Sequence, residues 1–169
     1  MLRITVLAAL LALTSGTREA VAQRRAPGQP AGETSAVSVI ARLGTKSYTS
    51  NIAGTCKHEP SASIYDTPAA LYLVEAAGDD GSEIKQLNLT LWRPKNGSPD
   101  QISLSLGAGG NTYKIDVNPR TPAAGSATAE LRKEGAGGTL ELKGKDAKGT
   151  PLSLTVSCPT FAGVVAEGG

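Results

Sequence analysis

Leu87-Asn88-Leu89-Thr90-Leu91 and Ile102-Ser103-Leu104-Ser105-Leu106 place an apolar side chain at every second position, with a small polar one between. Successive side chains of a strand point to opposite faces, so this period of two buries one face and leaves the other in water. The same alternation runs outward in both directions. It recurs at Val37, Val39 and Ala41; at Tyr113, Ile115 and Val117; and at Ala127, Ala129 and Leu131. Leu140 and Leu142 continue it, as do Leu152, Leu154 and Val156. Between the runs lie Asp79-Asp80-Gly81, Asn96-Gly97, Gly109-Gly110, Gly135 to Gly138 and Asp146 to Gly149, each with a glycine for the positive φ of a tight turn. Seven to nine antiparallel strands follow, an all-β domain over 35–161. The expected architecture is a β-sandwich, with a partly open β-barrel as the alternative. Thr67, Pro68 and Gly78 would suit the cap, first turn and end of a helix over 68–77. The β-prone run Leu71-Tyr72-Leu73-Val74 favours a strand over 69–77 instead.

The N-terminus sets the expected compartment. Arg3, the apolar run over 4–13 and the small residues of Ala20-Val21-Ala22-Gln23 read as a signal peptide over 1–22, cut after Ala22. The run is about half the length that spans a bilayer's hydrocarbon core, so no stable membrane insertion is expected after cleavage. Arg18 and Glu19 are unusual before a cleavage site and leave an uncleaved anchor as the alternative. Residues 23–34 are rich in Pro, Gly and Arg and read as a disordered linker, and 162–169 as a flexible tail. Cleavage would leave one net positive charge with no basic cluster, which argues against nucleic acid as a partner. The localisation expected is secreted or periplasmic, in a bacterial cell envelope.

Two cysteines in an oxidising compartment allow one intramolecular pairing, Cys56 with Cys158. Parity supports it, because Cys158 continues the buried series of Leu152, Leu154 and Val156, and Cys56 is in register with Tyr48 and Ile52. Aromatics make up only 4% of the chain, so the core is built from aliphatic side chains that each bury less area, and a cross-link matters correspondingly more.

No stretch carries a recognisable catalytic or cofactor pattern. His58, with Ser61, Ser63 and Asp66 nearby, can be written as a triad, but the spacing fits no known order and 57–66 reads as a loop. Metal binding by His58 with Glu59 or Asp66 lacks the further ligands a zinc site needs. Ser82-Glu83-Ile84-Lys85 has the S-x-x-K spacing, which needs a helix where this chain opens a strand. Asp79, Asp80 and Glu83 offer oxygens to calcium without the loop that holds it. Gly107 to Gly110 reads as a turn rather than a phosphate loop, and Asn88-Leu89-Thr90 is a glycosylation sequon placed mid-strand. No cofactor or metal is expected. Trp92 has the opposite parity from Leu87, Leu89 and Leu91. It would stand exposed at a strand end and, with Tyr72, Tyr65 and His58, form a binding patch.

Between Cys56 and Cys158 several stretches look alike to one family: Gly54-Thr55-Cys56, the pair A-L-Y-L-V (70–74) and E-I-K-Q-L-N-L (83–89), and Tyr113-Lys114-Ile115. G-S-A-T-A (125–129), L-K-G-K (142–145) and L-T-V-S-C (154–158) complete them. The chain resembles the small cell-envelope lipoprotein antigens of mycobacteria, although Leu13-Thr14-Ser15-Gly16 is followed by no lipobox cysteine. The resemblance implies a surface β domain closed by a disulfide, concerned with host interaction or ligand carriage and without catalytic residues. The expected function is therefore a non-enzymatic extracytoplasmic binding or surface protein. A small secreted hydrolase or hydrolase inhibitor using 57–66 is the alternative, and an envelope structural module a third reading.

Overall fold

The alternating stretches are strands throughout. The structure, a computed structural model, describes residues 34–164; the expected signal peptide, the expected linker apart from Thr34, and the expected tail beyond 164 lie outside the described residues. The strands are β1 (Ser35–Leu43), β2 (Lys46–Ile64), β3 (Thr67–Ala77), β4 (Ile84–Pro94), β5 (Gln101–Ala108), β6 (Asn111–Val117), β7 (Ser126–Glu134), β8 (Gly137–Lys145), β9 (Pro151–Cys158) and the two-residue β10 (Ala162–Gly163). The segment open to two readings is strand β3, not helix. The first residues of the expected tail are ordered as β10, which runs parallel to β2 at Lys57 and His58.

All other pairings are antiparallel, in the order β6-β5-β4-β3-β2-β1-β9-β8-β7. The two edge strands, β6 and β7, are consecutive in the chain and joined by residues 118–125. A flat sheet of this many strands would hold its edges about 38 Å apart. The link can stretch to only about 30 Å. The sheet therefore curls into a half-barrel. The layers expected of a sandwich are two halves of one sheet, and the unbroken hydrogen-bonded path is that of the partly open barrel. The edges do not pair as strands; β6 is bonded instead by the link and by the β8–β9 turn: Asp116 and Ala124 exchange backbone hydrogen bonds of 2.8 and 2.9 Å, and the Ala147 N–H donates to the Lys114 carbonyl at 2.8 Å.

Inside the curl, Leu87, Leu89, Leu91, Ile102, Leu104, Leu106 and Ile115 pack with Val37, Val39, Leu140, Leu142, Leu154 and Val156 in one cluster. Each such burial contributes about 1.5–3 kcal/mol. Cys56 and Cys158 are bonded, with Cα atoms 6.0 Å apart, and both are buried. The bond joins β2 to β9 past the intervening β1. Among the described residues two polar side chains are buried and satisfied: Ser50 Oγ accepts from Ile84 N at 3.2 Å, and Asp146 Oδ1 accepts from Lys148 N and Thr150 N at 2.9 and 2.7 Å.

The stretch from 124 to 133 passes in turn over β6, β4 and β2. Ala124 meets Asp116, the Ala129 carbonyl accepts from Arg93 Nη2 at 2.9 Å, and Lys133 Nζ lies 3.1 Å from His58 Nε2. β7 thus crosses the ends of the opposite half instead of aligning with them. Its inward residues Ala127, Ala129 and Leu131 remain only half-buried.

Candidate functional site

The four residues expected to form one patch are divided among three places. Tyr72 is 5% exposed and points into the core, stacked on His58 with ring centroids 4.2 Å apart and planes 5° from parallel. Phe161, carried in just before β10, meets both rings edge-on. Burial raises the Tyr72 hydroxyl's pKa, and the Arg93 charge opposes this. Trp92 is half-buried on the outer face, cross-strand from Leu71 and Gln101, as its parity requires. Tyr65 is exposed at a hairpin tip and touches none of the other three among the described residues.

His58 is not on a loop, because β2 runs on to Ile64. Its Nδ1 lies 3.0 Å from the Leu71 carbonyl and Nε2 3.1 Å from Lys133 Nζ. A carbonyl can only accept and an ammonium only donate, so the proton sits on Nδ1 and Nε2 accepts. Both nitrogens are occupied, and the partners are not Ser61, Ser63 or Asp66. Asp79 Oδ1 accepts from Gly81 N and Ser82 Oγ, bonds that lower its carboxyl pKa. Glu83 Oε2 accepts from Thr49 N at 3.1 Å. Lys85 donates to the Asp79 and Asp80 carbonyls rather than to Ser82.

An apolar concavity lies at one end of the curl, where three segments meet. Pro60 begins its construction. Lacking an N–H, it sits in a bulge where β2 gains a residue over β3 between Glu59 and Ala62. One extra residue reverses the faces that follow, so Ala62 and Ile64 turn opposite to Cys56 and His58. Ile64 and Thr67 then pair across a two-residue turn, Tyr65-Asp66, with φ of 50° and 62°. Glycine or asparagine normally fills such positions, and a bulky aromatic there is an outlier.

The second segment is the β4–β5 loop, tied by Arg93. Its Nε and Nη2 donate to Asp100 at 3.1 and 2.7 Å while Nη2 also reaches the Ala129 carbonyl. Donation to Asp100 raises the Arg93 pKa against desolvation, and the charged guanidinium's bond to the Ala129 carbonyl anchors β7. The third segment is the link after β6. Asn118-Pro119-Arg120-Thr121 is a turn in which Thr121 N donates to the Asn118 carbonyl at 3.4 Å and Asn118 Oδ1 accepts from Arg120 N at 2.9 Å. Asparagine first and proline second are residues that such a turn selects.

Together these segments enclose a cavity of about 400 Å³. Ile64, Tyr65, Pro94, Pro99, Val117, Pro119 and Ala123 form its apolar wall. Thr67, Ser98, Gln101 and Asn118 supply polar atoms, and Asp100 is already paired. Beside the cavity, and not part of its wall, the Arg120 guanidinium lies 3.4 Å from the centroid of the Tyr65 ring, and Asn118 Nδ2 is 3.3 Å from the Tyr65 hydroxyl. Of these residues only Tyr65 stands out in the sequence. The Asn118-Pro119 dipeptide is the available signal for the rest, but nothing local says that its turn faces the 65–66 hairpin.

The Tyr65 strain can be measured. Relieving a left-handed tyrosine gains about 1–2 kcal/mol. The exposed cation–π interaction that the ring makes is worth about 0.5–1 kcal/mol and disappears with it. Tyr65→Asn is therefore expected to leave stability unchanged or raise it by up to about 1.5 kcal/mol in urea unfolding. A clear loss of stability would show that the ring, and not the function, explains its place.

Compared with family models, with curated proteins and with solved structures, the chain matches none of them.

Proposed function

We propose that this chain is an extracytoplasmic binding protein that holds a small, largely apolar ligand in the cavity at the end of the half-barrel. The reading rests chiefly on one observation: Tyr65 is kept exposed, in a backbone conformation costly to its residue type, at the mouth of an apolar cavity. Strain of this sort concentrates at ligand clamps, where the surrounding structure maintains it for a purpose other than stability. The cavity volume falls within the usual range for small-molecule sites, and the few polar groups on an apolar wall are the usual composition. The disulfide fits a compartment outside the cytoplasm, in keeping with the leader read at 1–22. The surface role implied by the likeness to envelope lipoprotein antigens agrees with a carrier of this kind.

The test uses N-phenyl-1-naphthylamine, a neutral aromatic probe whose fluorescence rises on burial. Saturable binding at one site is expected. Ala123→Trp, a change on the exposed rim that fills the cavity without touching the core, should weaken it at least tenfold. Absence of saturable binding to the unaltered protein, or full affinity in the filled variant, would overturn the proposal.

A further inference from the structure

We infer that the ligand is an amphipathic anion, with an apolar ring or short chain inside the cavity and a carboxylate, sulfonate or similar head held at the mouth by Arg120. This rests on the cavity reading above and adds the charge. The only acid on the cavity wall, Asp100, is neutralised by Arg93 at 2.7 Å. Among the described residues Arg120 forms no ion pair with any carboxylate, and it is exposed. The guanidinium stacked on the wall residue Tyr65 therefore has no ion-pair partner, and the exposed Asp66 that follows Tyr65 is not paired with it.

That charge is also positioned. Pro119 and the Asn118 side chain set the turn that carries Arg120, and the same Asn118 side chain holds the Tyr65 hydroxyl. With its central carbon 3.4 Å from the ring centroid, the guanidinium lies against the face of Tyr65. That contact occupies the guanidinium's face rather than its N–H donors. A guanidinium stacked in this way keeps the planar donor set that matches an oxyanion, and its rotational freedom is already much reduced. The strained tyrosine thus acts as a positioning residue for the cation as well as an apolar wall.

The closing experiment compares N-phenyl-1-naphthylamine with 8-anilinonaphthalene-1-sulfonate, the same aromatic body without and with the anionic group, on the disulfide-intact protein. The sulfonate is expected to bind about tenfold more tightly at low salt, equivalent to about 1.4 kcal/mol. Raising the salt should shrink the advantage. Arg120→Gln should abolish it while leaving the neutral probe's Kd within about twofold, which also shows that the variant is folded. Equal affinity of the two probes for the unaltered protein, or equal weakening of both by Arg120→Gln, would overturn the anionic head and leave the apolar cavity standing. If neither probe binds saturably, the cavity reading itself falls and this inference falls with it.

Discussion

Replacing Cys56 and Cys158 together by alanine is expected to lower the unfolding free energy by about 2–4 kcal/mol. The cysteines are 102 residues apart, a loop for which the chain-entropy model sets a ceiling of about 4.7 kcal/mol. Few other features of the domain bear so much. The bond ties β2 to β9 on the inward face, so it holds together the two halves of one curled sheet whose free edges never pair as strands. The core beneath it has little aromatic area to compensate. For a domain of this size each kcal/mol moves the midpoint by about 3–5 °C, so the melting temperature should fall by about 6–20 °C. Thermal scans by circular dichroism on the double variant, and on the unaltered protein with and without reductant, measure it. A midpoint that stayed put in both would show that the sheet holds its curl without the cross-link.

Gly144→Ala is expected to cost about 3 kcal/mol or more, at the upper end of what overpacking does. A Cβ at this position would run into the carbonyl oxygen of Ser126 and approach the Ala127 Cα at 2.8 Å. Both are backbone atoms at the start of β7, and neither can swing aside as a side-chain tip would. Displacing them pulls β7 off β8 just where it leaves the link from β6, and so loosens the crossing held by the Arg93 bond to the Ala129 carbonyl. Gly97→Ala is the control. Gly97 has a φ of 82° and open space around the missing Cβ, so only the backbone penalty of about 1 kcal/mol applies. Denaturant midpoints for the two variants separate steric exclusion from backbone strain. Equal losses would mean that β7 yields freely, and that the edge at the seam is softer than its packing suggests.

The strands are legible because alternation is a local property. Leu87, Leu89 and Leu91 face inward for the same reason that Trp92 does not, and inward parity places both cysteines on the face where they bond. Local reading breaks where the backbone departs from regular pairing. The segment 57–66 resembles a loop because Pro60 and two serines interrupt the apolar rhythm, yet the structure accommodates them as a bulge and keeps His58 in β2. Tyr65-Asp66 does not read as a turn because tyrosine disfavours the left-handed region, although aspartate tolerates it. The hairpin forces them there. The expected patch fails through contacts that no parity argument contains: Tyr72 is turned inward against His58 and Phe161, while Tyr65 answers to Asn118 and Arg120.

By itself the sequence determined the all-β class, the positions and inward faces of most strands, and the single possible disulfide. Each of these follows from spacing along one chain and from counting. Only the tertiary structure decided that the two edges of the sheet meet, since that depends on the reach of 118–125 set against the width of the whole sheet. The cavity is likewise a product of tertiary structure, because its wall comes from the β2–β3 turn, the β4–β5 loop and the link after β6, which are separated in sequence and share no pattern.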